Sequence, residues 1–395
     1  MTGPSSGVID APPRSVRLFV VAGEPSGDRH AAAVVRELRH LVPELKVEGV
    51  GGQALRDAGA RLLADSTRWT AIGVLDALRR VPRIAWNYPR ILRHLVQNPP
   101  DAVLLVDFGA FNARLARRLR TVLTRILYYI PPRCWDRTAA RGDLLDLVDA
   151  IATPFPWSAE RLRGGRARVE WVGHPVLDHC SEAADKPAGS PTTLALLPGS
   201  RPLEARLLLP LYAQVVNALS ERLGGSLRVL VCWAPSLPAW QRDRARALLP
   251  SAEWVDGVTS DALHRADAAI VCSGTATLEV ACAGTPMVIV YRVPWWQMPE
   301  YQLRKRLTPL PFIGLPNILL GRAAVPEFHG PAAAAPRVTD EVTRLLTQPV
   351  AAEAQRRALA EVRAALGTPG AARRTAAMLA ALLREPARVY PPAVA

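Results

Sequence analysis

Uninterrupted apolar runs at 18–22, 47–50, 102–106 and 126–129 alternate with longer stretches whose apolar residues recur every three or four positions. The alternation resumes at 194–197, 229–232, 268–272 and 287–291. Short apolar runs bounded by turn residues predict strands covered on both faces, and the stretches between them predict helices, so the chain reads as βα units around parallel sheets. Between the two sets, 181–193 carries Lys186-Pro187, Gly189 and Pro191 with no period, and predicts an interdomain linker. After Pro336 the pattern turns helical, with Leu345, Leu346, Leu359, Val362, Leu366, Met378, Leu379, Leu382 and Leu383 at spacings of three and four. The expected organisation is a flexible start at 1–14, a first α/β domain at 15–185, a second at 186–340, and a helical tail at 341–395 free to cross back to the first domain. The strand ends are expected to face a central cleft, whose loops then carry the chemistry.

The length of 395 residues allows each domain its own core, and 49% hydrophobic residues exclude a disordered or collagen-like chain. The 49 Lys+Arg against 35 Asp+Glu leave a net charge of +14, which favours an anionic partner: nucleic acid, an anionic membrane surface or a phosphorylated substrate. Lys46, Lys186 and Lys305 are the only lysines, so the excess is arginine; a GC-rich genome and selection for bidentate anion contacts both account for that. Cys134, Cys180, Cys232, Cys272 and Cys282 are odd in number and lack CxxC spacing. They predict reduced, mostly buried thiols in an intracellular protein, with neither a disulfide framework nor a structural zinc. No segment offers 18 uncharged apolar residues, so membrane contact is expected to be peripheral. No nucleic-acid module or aromatic stacking platform is recognisable, which argues against nucleic acid as the partner.

Neither a GxGxxG fingerprint nor a Walker P-loop is present, which weakens dinucleotide and NTPase readings. The first strand runs into Ala22-Gly23-Glu24-Pro25-Ser26-Gly27-Asp28, with a helix expected near His30 and Ser26 or Asp28 as its cap. Capping leaves the crowding of Glu24, Asp28 and His30 unexplained. The 102–106 strand ends in Asp107-Phe108-Gly109-Ala110-Phe111-Asn112, where Asp107 is either a general base for a sugar hydroxyl or a helix cap paired with an arginine. In the second half, Pro198-Gly199-Ser200-Arg201 precedes Glu204 and a helix; it is an anion site at a helix N-terminus or a structural helix start. Ser273-Gly274-Thr275-Ala276-Thr277-Leu278-Glu279 is a second such turn, with Glu279 placed to accept from a ribose diol or to sit solvated in a first turn. No acid-x-acid pair stands at a strand end, and His174, His179 and Cys180 are poorly spaced for ligands, so no metal is expected.

Two anion turns facing an acid on the other domain describe a nucleotide-sugar glycosyltransferase, and the motifs narrow it further. From about residue 18 to 327 the chain resembles the lipid-A-disaccharide synthases, through A-G-E-P-S-G-D at 22–28, D-F-x-x-F-N at 107–112 and G-H-P at 173–175. The match continues through L-L-P-G-S-R-x-x-E at 196–204, S-G-T-A-T-L-E at 273–279, G-T-P-M-V at 284–288, Y-R at 291–292 and L-P-N-I-L-x-G-R at 315–322. The resemblance implies a GT-B fold of two Rossmann-like domains, with acceptor lipid on the first and UDP on the second. It implies inverting transfer of 2,3-diacylglucosamine from UDP-2,3-diacylglucosamine to the 6-hydroxyl of 2,3-diacylglucosamine 1-phosphate, releasing UDP, without metal or cofactor. It further implies Asp107 as base and Arg201 as stabiliser of the leaving group. Ser200, Ser273, Gly274, Thr275 and Glu279 would hold the nucleotide, with Arg292 and Asn317 nearby. Glu24, Ser26, Asp28, Asn112, Trp135 and His174 are the acceptor-side candidates. The tail can exchange between subunits in this family, so a homodimer is one arrangement the resemblance allows.

The chain departs from the family on the acceptor half. The second aspartate of D-x-x-D-F-N is Ala110, and the S-P-S-x-W-A-W loop reads Pro131-Pro132-Arg133-Cys134-Trp135-Asp136-Arg137. Two further readings therefore stand beside the first: a UDP-sugar transferase with another glycolipid acceptor, and a non-catalytic lipid-binding homologue. The stretch 78–93 alternates basic and apolar residues at helical spacing, interrupted by Pro82 and Pro89. With Arg79, Arg80, Arg83, Trp86 and Tyr88 it suits the anionic inner face of the cytoplasmic membrane, or else it is an ordinary packed helix. Trp295 and Trp296, followed by basic 304–306, form a second candidate of that kind.

Overall fold

The computed structural model describes residues 15–385 apart from 68, 70–72, 123, 138, 140–141, 181–185, 187–188, 259 and 308–310; for 73–83, 295, 300 and 304–307 it describes the backbone path alone. The start at 1–14 and most of the expected linker lie outside the described residues.

Each of the eight apolar runs forms a strand. The first sheet contains β1 (Arg17–Ala22), β2 (Lys46–Gly51), β3 (Arg61–Asp65), β4 (Ala102–Val106), β5 (Arg125–Tyr129), β6 (Ala150–Thr153) and β7 (Arg168–Trp171) in the order β3-β2-β1-β4-β5-β6-β7. The second contains β8 (Thr193–Leu197), β9 (Arg228–Trp233), β10 (Glu253–Asp256), β11 (Ala268–Cys272), β12 (Met287–Tyr291) and β13 (Glu327–His329) in the order β10-β9-β8-β11-β12-β13. Every pairing is parallel. The buried strands β4, β5, β8 and β11 are apolar throughout or nearly so because helices cover both faces. In each sheet the strand order reverses beside the first strand, at β1/β4 and β8/β11. That is where parallel sheets open a crevice beyond their carboxyl ends, and the four loops with candidate chemistry follow those four strands.

The helical region after Pro336 divides in two. Helices Ala335–Thr347 and Pro349–Ala365 stay on the second half, burying Val338, Val342 and Leu345 in one cluster and Leu359 and Val362 in another. Helix Ala371–Arg384 crosses to the first sheet, where Met378, Leu379 and Leu382 pack with Leu18, Val34 and Val35. Asp178 fixes the crossing, because its carboxylate accepts from the backbone N–H groups of Gly370, Ala371 (3.1 Å) and Ala372 (2.9 Å) at the helix start. Lys186 ties the linker to the second half through Asp267 (2.6 Å).

Candidate active site

The turn after β4 is built around a backbone conformation that L-residues seldom adopt. Asp107 and Phe108 take φ of 47° and 51°, both left-handed, at a cost of about 1–3 kcal/mol each unless the surroundings enforce it. Here the enforcement is visible. Asn112 donates from Nδ2 to the carbonyls of Asp107 (2.8 Å) and Val106 (3.3 Å), and the Tyr128 hydroxyl donates to the Asp107 carbonyl at 2.7 Å. Phe108 joins Trp69, Phe111 and Tyr88 in an aromatic cluster with ring centroids 5.2–6.0 Å apart. Gly23 is required opposite it, since a Cβ there would lie 2.2 Å from the Phe108 ring. The turn thus presents the Asp107 carboxyl from a half-dry pocket. Burial, and then the nearby Glu24 carboxylate, push that carboxyl up to about 6, against the Phe108 N–H and Arg201, which pull it down.

The turn after β8 faces it across the cleft. Gly199 has φ +97°, and a Cβ there would meet Glu204 Oε2 at 2.5 Å. Glu204, buried, accepts from Arg201 Nη1 (2.9 Å) and from the Arg201 backbone N–H (3.3 Å), fixing the arginine at the head of helix Pro202–Arg222. From the first half, Glu24 reaches Arg201 Nη2 at 3.3 Å. Arg201 Nε is buried without a hydrogen-bond partner. Glu24, Asp107, Arg201 and Glu204 therefore form one cluster spanning the two halves.

The turn after β11 stands beside it. Ser273 donates to the Ile313 carbonyl (2.8 Å), Gly274 is exposed with φ +153°, and Thr277 closes the turn on the Gly274 carbonyl (2.7 Å). Burial raises the Glu279 carboxyl, opposed by Arg29, whose guanidinium lies 3.6 Å away across the cleft. Ser200 is exposed on the neighbouring turn, and its carbonyl accepts from Ser236 (2.7 Å).

Several sequence candidates are committed to the fold instead. Helix Pro25–Leu41 begins at Pro25, five residues before His30, because a proline suits the first helical position after an extended Glu24; neither Ser26 nor Asp28 caps it. Asp28 is buried and accepts from the N–H groups of Gly52 (2.7 Å), Ala54 (2.9 Å) and Leu55 (3.2 Å), anchoring the turn after β2. Ser26 is half-buried one position from that proline. Asn317 makes four bonds to its own loop, donating to Val325 O and Glu327 Oε1 (both 2.7 Å) and accepting from Ala324 and Val325 N–H (both 2.8 Å). Arg292 braces the Ala333 carbonyl with Nε (3.1 Å) and Nη2 (2.9 Å). His174 is buried in the hinge, its Nδ1 accepting from the Val176 N–H (3.1 Å), and burial pushes it down to about 3 despite Asp178. Asp28, Asn317 and His174 thus each hold the local fold through these bonds. Among the described residues no three His, Cys, Asp or Glu side chains converge as metal ligands would.

The amphipathic stretch forms one helix, Gly73–Gln97, which runs through Pro82 and Pro89 without the expected interruption. Arg79, Arg80 and Arg83 lie outside the described side chains, as does Trp295. Trp86 is 80% exposed, and Arg90, Arg93 and Val96 are exposed with it. Tyr88 instead turns inward, edge-on to Phe111 (5.4 Å), with its hydroxyl on the Arg114 carbonyl (3.2 Å). Phe111 follows Asp107 by four residues, so this helix rests on the turn that carries the acid. Trp296 is 43% exposed on the second half. Among the described residues no helix is long and apolar enough to cross a membrane.

The family profile of lipid-A-disaccharide synthetase matches residues 18–381. A lipid-A-disaccharide synthase of Anaeromyxobacter dehalogenans (strain 2CP-1 / ATCC BAA-258) is 36% identical over 384 residues, covering 93% of this chain and 98% of the relative. That of Geobacter sulfurreducens is 34% identical over 383 residues, with the same coverage. The chain belongs to the lipid-A-disaccharide synthase family. It is a glycosyltransferase with a GT-B fold. Solved structures agree on the fold alone: a putative UDP-N-acetylglucosamine 2-epimerase from Listeria monocytogenes superposes with TM-score 0.63 at 12% identity, covering 94% of this chain and 97% of that one. MurG of Acinetobacter baumannii superposes with TM-score 0.56 at 13% identity, covering 92% and 99%.

Against the family's motifs, Ala110 is exposed on the first turn of helix Gly109–Leu119. The altered loop after β5 is held by helix Pro156–Leu162 and by the other half. The Arg137 guanidinium stacks 4.0 Å above the Trp157 ring and donates to the Leu319 carbonyl (3.3 Å) of the other half. Trp157 Nε1 donates to Cys134 O (3.0 Å), and Arg161 Nη1 to Asp136 O (2.6 Å). Trp135 is half-buried against the apolar cluster that joins the halves.

Proposed function

We propose that this glycosyltransferase moves 2,3-diacylglucosamine from UDP-2,3-diacylglucosamine to the 6-hydroxyl of 2,3-diacylglucosamine 1-phosphate, with inversion, as the family name suggests. The observation that carries the reading is the opposition of Asp107 and Arg201 across the cleft, a carboxyl held near 6 facing a guanidinium fixed by Glu204. In this reading the Asp107 carboxylate takes the hydroxyl proton as the oxygen attacks the anomeric carbon. The bond from that carbon to the diphosphate breaks, its electrons pass to the departing UDP, and Arg201 neutralises the charge that develops. Arg201 supplies the cation, so the chemistry calls for no metal.

Ser200 and Thr275 offer hydroxyls to the diphosphate, and Gly274 leaves room for it, while Ser273 holds the turn through the Ile313 and Val290 carbonyls, and Glu279 accepts from the ribose diol. The acyl chains lie toward the aromatic cluster of Trp69, Phe108 and Phe111. Helix Gly73–Gln97, with exposed Trp86, Arg90 and Arg93 and its inward Tyr88 on that cluster, rests on the anionic inner face of the cytoplasmic membrane and admits the lipids beside Asp107.

The test is to incubate purified protein with both substrates in mixed micelles and to identify the product by mass spectrometry and NMR. A β-1,6-linked tetraacyl disaccharide 1-phosphate supports the reading. Product from a different glycolipid acceptor, and none from this one, would replace it with the related transferase suggested by the altered loop at 131–137.

A further inference from the structure

Arg201 is held unequally by its two carboxylates. Glu204, on the same helix, is buried and bonds at 2.9 Å, within the range of a strong charge-assisted contact. Glu24 comes from the opposite half, is one-third exposed, and sits at 3.3 Å, longer than such contacts prefer. The guanidinium also keeps a buried Nε with no partner. Arg201 therefore faces the cleft with one weakly held position and one open donor, the requirement for receiving a bidentate anion. A second pair, Arg29 with Glu279 at 3.6 Å, spans the cleft from the same N-terminal segment.

We propose that Glu24 occupies, in the empty enzyme, the place on Arg201 that the donor diphosphate takes, so that donor binding breaks the Glu24–Arg201 pair and leaves the Glu24 carboxylate facing Asp107. This rests on the UDP-site reading above and adds to it a role for Glu24 as a positioning residue. The diphosphate carries more charge and more acceptor oxygens than one carboxylate, so the exchange runs toward the donor. The groups that face Asp107 are Glu24 from the turn after β1, Arg201 from the turn after β8, Tyr128 from β5, Cys134 from the loop after β5, and the Phe108 N–H. In the exchange Arg201 trades Glu24 for the diphosphate and stays paired, whereas Glu24 is left without its cation; Tyr128, Cys134 and the Phe108 N–H take no part in it. A carboxylate released from its cation raises the basicity of its neighbour, so the base strengthens once the donor is in place.

The experiment measures UDP binding by calorimetry to the wild type, Glu24→Gln and Arg201→Ala at one salt concentration, with the pH dependence of kcat/KM for the first two. Removing the competing carboxylate is expected to tighten UDP binding by roughly threefold to tenfold. In the same variant kcat falls, and the acid limb of kcat/KM moves to lower pH because Asp107 loses the charge that raises it. A variant that binds UDP more tightly and turns over more slowly is not what a merely structural loss produces. If Glu24→Gln does not fold, Glu24→Asp carries the test: the shortened side chain leaves Arg201, UDP tightens, and the acid limb stays in place. Unchanged or weakened UDP binding in these variants, with Arg201→Ala impaired, overturns the exchange and leaves the UDP site standing. Undiminished UDP binding by Arg201→Ala overturns the site reading and the exchange with it.

Discussion

Asn112 holds Asp107 by its backbone and leaves its carboxylate free: the Asn112 Nδ2 donates at 2.8 Å to the Asp107 carbonyl, while the acid itself faces Glu24 and Arg201. The spacing D-F-x-x-F-N thus encodes a device in which the last residue stabilises the left-handed conformation of the first. Asn112→Ala removes the brace and leaves two carbonyls with weaker satisfaction. We expect a stability loss of about 1–3 kcal/mol in denaturant unfolding. We also expect a fall in kcat of at least tenfold, with UDP binding retained, because the turns proposed to hold the nucleotide belong to the other half.

Asp107 itself is held at a cost to folding. Its carboxyl is raised from 3.8 to about 6 in the folded state, so the folded form keeps its proton to higher pH than the unfolded chain does. Stability is therefore lost as pH rises from about 4 to about 6, and the loss is complete above that window. Asp107→Asn keeps the shape, suits φ of 47° at least as well, and removes the charge. The variant is expected to be more stable than wild type by about 1–3 kcal/mol at pH 7, with the difference vanishing near pH 4. Its activity falls by roughly two orders of magnitude or more. In the wild type, kcat/KM is expected to decline below about pH 6 as the proposed base, Asp107, protonates. Melting curves and rate profiles across pH 4–8 check both.

The sequence offers Asp28 as an acid at a strand end or as a helix cap, but its actual task is unreadable there, because its three N–H donors come from Gly52, Ala54 and Leu55, more than twenty residues away. Asp28→Ala is expected to cost about 2–4 kcal/mol by orphaning buried donors. In the fraction that remains folded, the pH profile should be unmoved, in contrast to Asp107 variants.

The same distinction governs how much of the molecule the sequence discloses. The eight apolar runs become strands because a strand buried on both faces must be apolar throughout. The five strands that no run announced, β3, β6, β7, β10 and β13, are short, and four of them are half-exposed edge or near-edge strands without a continuous apolar pattern. Motif residues Asp107, Arg201 and Glu279 meet at the cleft because parallel strands deliver their C-terminal loops to one edge. The chain alone does not separate them from Asp28, Asn317 and His174, whose hydrogen-bond partners are set by tertiary packing. Glu204 stands in the quoted L-L-P-G-S-R-x-x-E motif without its partner being readable, and Asp178 carried no signal at all, because the helix start it holds lies almost two hundred residues further along the chain.

The proposed membrane contact is tested on helix Gly73–Gln97. Trp86, 80% exposed, is its most prominent apolar side chain among those described. Trp86→Ser is expected to lower binding to vesicles of anionic phospholipid by roughly threefold to thirtyfold, with little effect on thermal stability. Tyr88→Ser, which removes an edge-on contact to Phe111, should do the reverse. Vesicle co-sedimentation and melting of both variants separate the two roles.

The central claim is that Asp107 is the base for a lipid acceptor in a UDP-releasing transfer. The most direct measurement is UDP release from UDP-2,3-diacylglucosamine by wild type and Asp107→Ala, each with and without 2,3-diacylglucosamine 1-phosphate. The account predicts release that requires the acceptor and falls by two orders of magnitude or more in the variant, with UDP binding intact. Acceptor-dependent release at the wild-type rate by Asp107→Ala would contradict it.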